Sequence, residues 1–177
     1  MQTLIRPDGE TLAFNRTSGG GPVVIWIGGF RSDMEGTKAL ALETAAETKG
    51  WDYLRYDHFA HGRSSGDWRK ATIGRWREDA LGLIDSLEGP VVLVGSSMGG
   101  WVSLLAAIAR PDRVKGLVLI NPAQDFTERL MWPGLADHER QAILRDGETV
   151  IVEEGLGAYV LTRSMFEEAR DWLVLDG

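Results

Sequence analysis

The sequence of 177 residues contains no cysteine. That excludes disulfides, thiolate metal sites and a cysteine nucleophile, and it fits a reducing compartment, so a cytoplasmic protein is expected. Positive charge is not in excess: 19 Lys and Arg stand against 26 Asp and Glu, for a net charge of −7. With no basic cluster along the chain, neither nucleic acid nor a membrane surface is an expected partner. Long apolar runs are missing too. The longest uninterrupted one, Leu104 to Ala109, is far too short to cross a bilayer, and the opening stretch Met1 to Phe14 has no apolar core of signal-peptide length. No internal repeat, low-complexity tract or linker is visible, so a single domain over residues 1–177 is expected.

What is present is ordinary for a globular chain, with 44% hydrophobic and 25% charged residues. The order of segments says more. Thr3 to Arg6, a Pro7-Asp8-Gly9 turn and Thr11 to Asn15 read as a hairpin, followed by a loose loop from Thr17 to Pro22. Val23 to Ile27 is a short β-branched apolar run that suits a strand buried on both faces. Ser32 or Asp33 is a candidate cap for a helix to about Lys49, with Leu40, Ala41, Thr44 and Ala45 inward and Gly50 beyond its end. A strand follows at Trp51 to Tyr56. Ile73, Trp76, Ala80, Leu83, Ile84 and Leu87 recur at helical spacing, and Gly89-Pro90 stops the pattern. Strand Val91 to Val94, helix Met98 to Arg110 and strand Val114 to Ile120 complete an alternation that predicts a mainly parallel α/β sheet covered by helices on both faces. This core spans residues 1–122. Residues 123–177 change character, with helical stretches Phe126 to Trp132, Asp137 to Arg145 and Ser164 to Leu173 that predict a helical lid after the sixth strand.

The chemistry is concentrated at Gly95-Ser96-Ser97-Met98-Gly99, a G-x-S-x-G between a predicted strand and a predicted helix. In that setting the pattern describes a nucleophile elbow. The chain reverses so tightly that residues two before and two after the serine approach each other, and glycines supply the space. A glycine turn of this kind also occurs in phosphate-binding folds. Here, however, Trp101 stands where a P-loop lysine would be, and no G-x-G-x-x-G is present. A serine nucleophile also needs oxyanion donors, and the backbone N–H groups of Met98 and of Phe30, the latter just after Gly28-Gly29 at the end of a strand, are the candidates. No metal and no cofactor is expected.

These segments, together with SDMEGTKA at Ser32 to Ala39, Tyr56-Asp57 with Gly62 to Gly66, GRWRED at Gly74 to Asp79, VGSSMGGW at Val94 to Trp101 and AAIARP at Ala106 to Pro111, form a specific set. The set resembles the α/β-hydrolase superfamily, and more narrowly its palmitoyl-protein thioesterase and mycophenolic acid acyl-glucuronide esterase branch. The resemblance implies a serine hydrolase that cleaves carboxylic ester or thioester bonds of small molecules, of acyl or acyl-glucuronide type, through an acyl-enzyme on Ser97. In that superfamily the acid and the histidine follow the lid, so the chain is expected to be truncated before its last strands and to leave an open sheet edge through which it self-associates.

Within the chain, His58 and His61 read as structural or substrate-adjacent, and a triad of Ser97 with His138 and Asp125 is a remote alternative. Phe30, Trp101, Met131 and Trp132 are candidates to line an apolar acyl pocket with Met98. Trp68 is expected near its mouth, and Trp26, Trp51 and Trp76 in the core. Arg31, Arg63 and Arg129 are candidate contacts for an acidic leaving group. The alternative to an enzyme is a catalytically inactive hydrolase-like binding module, because no triad acid or base is evident.

Overall fold

The computed structural model describes residues 1–153 and 157–175. Six strands, β1 (Gln2–Ile5), β2 (Thr11–Thr17), β3 (Gly20–Ile27), β4 (Trp51–Tyr56), β5 (Val91–Ser96) and β6 (Val114–Ile120), form one sheet in the order β1-β2-β4-β3-β5-β6. β4, β3, β5 and β6 are parallel, and β1 and β2 add an antiparallel edge. Parallel neighbours need crossovers, and α1 (Thr37–Lys49), α2 (Ile73–Ser86) and α3 (Met98–Ala109) provide them. The strand order reverses at β3, so the carboxyl ends of β3 and β5 border the crevice where open α/β sheets bind ligands.

The main core lies between the sheet and α2 with α3. Ile73, Trp76, Ala80, Leu83 and Ile84 form the buried stripe of α2, as the helical spacing predicts, and α3 is buried along most of its length. The other face has a smaller cluster in which Ala39 and Ala46 of α1 meet Trp26, Tyr53 and Val94. Beyond α1 the described residues leave this face open. Val24, Leu42, Val92, Val94, Val118 and Ile120 line an apolar groove of about 520 Å³ beside the edge strand β6.

Several sequence expectations are corrected here. α1 begins at Thr37, after Gly36, with no side-chain cap. Ser32 and Asp33 do not cap it because their side chains close local turns, Ser32 Oγ donating to Gly29 O (2.7 Å) and Asp33 Oδ1 accepting from Glu35 N–H (2.9 Å). Its inner face carries Ala39 and Ala46, whereas Leu40, Ala41 and Thr44 are exposed. The connection from Thr17 is a two-residue link, since β3 starts already at Gly20. Trp51 is 42% exposed rather than in the core, with the Lys49 ammonium 5.6 Å from its ring centre.

The region after β6 is not purely helical. A π-helical turn at Thr127–Met131, α4 (Trp132–Gly134) and α5 (Asp137–Asp146) are followed by an antiparallel hairpin, β7 (Glu148–Glu153) with β8 (Gly157–Thr162), and then by α6 (Arg163–Ala169). The β-branched run Thr149 to Val152 carries that hairpin's signal. Of the expected lid, residues 154–156 and 176–177 lie outside the described residues.

Trp76 is fully buried and its Nε1 donates to Phe59 O (3.1 Å), so it packs α2 against the loop after β4. Trp76→Ala is expected to cost about 3–5 kcal/mol, the range for deleting a buried large aromatic, read as a lowered midpoint in urea unfolding.

Candidate active site

β5 runs out at Ser96, and the chain turns at Ser97 with φ 55° and ψ −123°, outside the regions an L-residue prefers. Backbone contacts hold it there. Ser97 N–H donates to Ile120 O at the end of β6 (3.1 Å), and Ser97 O accepts from Gly100 N–H (2.9 Å) and Ala123 N–H (3.0 Å). The glycines are required by contact, as their spacing predicts. A Cβ on Gly95 would overlap Gly99 O and Ser103 Oγ, and one on Gly99 would overlap the carbonyl oxygens of Ile27 and Gly28. Ser97 itself is exposed at the amino-terminal end of α3, where the helix dipole favours negative charge.

The loop after β3 lies against this serine. A Cβ on Gly29 would sit 3.2 Å from the Ser97 Cβ and 3.3 Å from Ser96 O. Ser97 opens into a cleft of about 300 Å³ lined by Trp26, Gly29, Phe30, Ser32 and Thr37. Among the described residues no hydrogen-bond acceptor takes up the backbone N–H of Phe30 or of Met98. Both therefore remain available as donors beside the serine.

Phe30 separates this cleft from a second cavity. Its ring meets Trp68 (5.3 Å between centres), Phe126 (5.7 Å) and Tyr159 (5.8 Å). Beyond it, Phe126, Leu130, Met131, Leu135, Ile151 and Tyr159 line a cavity of about 440 Å³ under the hairpin. Met131 lines this second cavity, not the cleft at Ser97. Trp101 and Trp132 line neither. Trp101 is fully buried, its Nε1 donating to Trp172 O (3.0 Å) and its ring meeting Phe126 edge-on, because helical periodicity turns it toward the core. Trp132 packs on Phe166 of α6. Trp68 is half-buried and ties the hairpin down through Nε1 to Val160 O (2.8 Å).

The other candidates have structural partners. Asp125 is buried and accepts from the N–H groups of Val174 (3.0 Å) and Leu175 (2.9 Å), while His138 is exposed on α5, so no triad with Ser97 forms from them. Arg31 pairs with Glu153 (3.2 Å) and lies over the Tyr159 ring, Arg63 faces Glu35 (3.7 Å), and Arg129 faces Asp125 (3.8 Å). Among the described residues no histidine or carboxylate hydrogen-bonds the Ser97 hydroxyl. No group of three or more His, Asp or Glu among them is placed to hold a metal ion, and no helix among them is long and apolar enough to cross a membrane.

Sequence reasoning missed the polar support beneath the site. Asp57 accepts from the N–H groups of Met34 and Arg63 (both 2.7 Å), filling the space where a Cβ on Gly62 would stand. Asp79 is fully buried, pairs with Arg6 and accepts from Phe59 N–H (2.6 Å). Burial pushes its carboxyl up to about 7, against the pull of Phe59 N–H, Arg6 and Arg75. Burial pushes the His58 ring down to about 3 and lowers His61, so both are neutral near pH 7. Acidic residues spaced along GRWRED and YDHFAHG carry no periodic signal that would show them converging.

Comparison with known proteins then adds the following. The family model described as serine aminopeptidase, S33, matches residues 22–163. The chain is 48% identical over 123 residues to a bovine protein named palmitoyl-protein thioesterase ABHD10, mitochondrial, and 46% identical over 126 residues to the human protein of the same name. Those matches cover 69% and 71% of this chain but 40% and 41% of the relatives, so the match spans about two fifths of their length. In structure, a putative hydrolase from Agrobacterium vitis superposes with a TM-score of 0.90 at 37% identity, covering 100% of this chain and 72% of that one. Mouse alpha/beta hydrolase domain-containing protein 10 superposes with 0.86 at 35% identity, covering 99% and 71%. The two mammalian relatives are mitochondrial by name, a different compartment from the cytoplasm that the lack of cysteine suggests for this chain.

Two measurements check the site. Gly99→Ala is expected to destabilise the fold by about 2 kcal/mol or more, since a methyl forced against two carbonyl oxygens has no space to relax into; unchanged thermal unfolding would contradict the contact. The His58 ring is expected to keep one neutral set of NMR resonances from pH 8 down to 5. Its folded value lies below the unfolded one, so its contribution to stability is present above pH 6.5 and is lost as pH falls toward 3.

Proposed function

Since the chain belongs to the serine aminopeptidase S33 family of α/β hydrolases, we propose that it carries the nucleophile and oxyanion hole of a serine hydrolase acting on ester or thioester bonds. The observation that carries this reading is Ser97, exposed at φ 55° on the turn after β5 with Gly29 packed against it and Phe30 in the wall of the same cleft. Ser97 Oγ attacks the acyl carbon while its proton passes to a base. The carbonyl oxygen takes the negative charge between the N–H groups of Phe30 and Met98, and collapse expels the alcohol or thiol to leave an acyl-enzyme that water hydrolyses. The second cavity, with Phe126, Met131 and Leu135 in its wall beside Glu139 and Glu153, offers room for an acyl group that carries polar substituents. The relatives named palmitoyl-protein thioesterase support a fatty-acyl thioester, and the resemblance to the acyl-glucuronide esterase branch supports an acyl-glucuronide.

A second reading, an inactive binding module, is favoured by one observation: no base reaches the Ser97 hydroxyl among the described residues. The uncovered face beside β6 also supports self-association, as an open apolar edge does generally.

A fluorophosphonate probe followed by mass spectrometry separates the two. Labelling of Ser97 that disappears in Ser97→Ala is expected, together with slow p-nitrophenyl ester hydrolysis that rises with added imidazole, which supplies the base from solution. No labelling and no response to imidazole would leave the binding module.

A further inference from the structure

The loop that offers Phe30 N–H is an unlikely shape for its sequence, and three side chains fix it. A trans peptide is planar, so its C=O and N–H point in opposite directions, and holding one orients the other. His58 Nε2 lies 3.3 Å from Gly28 O, which orients the Gly28-Gly29 peptide. Ser32 donates from Oγ (2.7 Å) and from N–H (3.2 Å) to Gly29 O, which turns the following N–H, that of Phe30, the opposite way. His61 Nε2 accepts from Arg31 N–H at 3.1 Å, which orients the Phe30-Arg31 peptide. Arg31 sits at φ 59°, a left-handed conformation that costs a branched-free side chain of its size free energy and persists only where neighbours impose it.

His61 is itself held. Its Nδ1 lies 3.0 Å from Phe59 O, and because Nε2 accepts, the ring proton is on Nδ1 and donates there. Phe59 is anchored in turn by its N–H on Asp79 (2.6 Å) and by Trp76 Nε1 on its carbonyl (3.1 Å). The ring is 4% exposed and packs against Trp68 and Trp76. A protonated ring would present a second N–H to the Arg31 N–H, and burial, which lowers the ring's affinity for a proton, prevents this near neutral pH.

We propose that His61 is a positioning residue of the Ser97 reaction: by accepting the Arg31 N–H it holds the strained loop over residues 28–31 in the one orientation that presents the Phe30 N–H as an oxyanion donor. The proposal rests on the reading of Ser97 as a nucleophile. His61 touches neither the serine nor the cleft that holds the acyl carbon, so its effect passes through the Arg31 peptide.

The test uses the full chain with His61→Ala and His61→Gln, the latter keeping a side-chain acceptor for the Arg31 N–H. Labelling of Ser97 by p-nitrophenyl alkylphosphonate is followed below the melting temperature of each variant. Amide hydrogen exchange at Arg31 is measured alongside. Expected is labelling slowed about 10- to 100-fold in His61→Ala at saturating probe, with half-saturation within about threefold of wild type, since a misplaced oxyanion donor is felt in the transition state. Arg31 N–H should exchange faster in the same variant, and His61→Gln should restore both. Labelling of His61→Ala at the wild-type saturating rate would overturn the proposal and leave the nucleophile reading intact. Absence of labelling in the wild type would instead remove the nucleophile reading. The exchange data then decide the loop alone, unchanged Arg31 protection in His61→Ala overturning the proposal there too.

Discussion

The site depends on one contact between backbones. Gly99, in the first turn of α3, lies against the carbonyl oxygens of Ile27 and Gly28 at the end of β3, and no Cβ fits between them. That contact sets how far α3 sits from the sheet. It thereby brings the elbow after β5 and the loop after β3 to the same point on the carboxyl edge, where Gly29 meets the Ser97 Cβ. The register agrees with it, since Ile27 pairs with Gly95 and Ser96 with Ile120, so three strand ends finish together. Elsewhere in the molecule a lost methyl costs packing; here an added one would separate the two halves of the site.

Beneath the contact lies a buried polar scaffold. Asp57 and Asp79 are both nearly inaccessible; Asp57 accepts from the backbone N–H groups of Met34 and Arg63, and Asp79 divides its oxygens between Phe59 N–H and the Arg6 guanidinium. Buried carboxylates cost desolvation free energy, visible in the upward shift of both. What they give in return is rigidity in a loop from 57 to 66 that has no secondary structure to hold it. The same loop carries His58 and His61, so the scaffold reaches the donor loop through two hydrogen bonds.

The sheet and its crossovers were legible because each carries a periodic signal over many residues. The stripe of α2 from Ile73 and the apolar run of β5 are read at the correct places, and the tight strand-to-helix turn was legible because glycine spacing, strand and helix coincide at Gly95 to Gly99. Single-residue environment was harder. Trp101 stands four residues after the nucleophile, and only the rotation of α3 decides that it faces Phe126 and Trp172 rather than the cleft. Trp132 similarly follows Met131 directly, yet one lines the lid cavity and the other packs on Phe166. The hairpin β7–β8 was read through because its flanks, α5 and α6, are helical and its β-branched run is short. The roles of His58 and His61 were illegible for a different reason: their partners are backbone atoms 30 residues away, and backbone atoms leave no trace in a sequence.

On the proposed reading of Ser97 as a nucleophile, the arrangement explains how it and its oxyanion donors are preorganised before any base is considered. Ser97 is oriented by Ile120 O, Ala123 N–H and the Gly100 N–H of α3 for its own peptide, and by Gly29 for its side chain. The donor loop is fixed by Ser32, His58 and His61, all placed by β3 and β4. Among the described residues none of these contacts involves a side chain that hydrogen-bonds the Ser97 hydroxyl. Stabilising the developing charge requires donors that do not reorganise during the reaction, whereas a general base must accept and return a proton and needs a polarity suited to that. The two demands conflict within one dry cluster, since burial of the kind that holds His58 and His61 neutral also removes their basicity. On that reading, a donor scaffold kept buried and separate from proton transfer resolves the conflict, and His58 and His61 hold backbone atoms rather than the Ser97 hydroxyl.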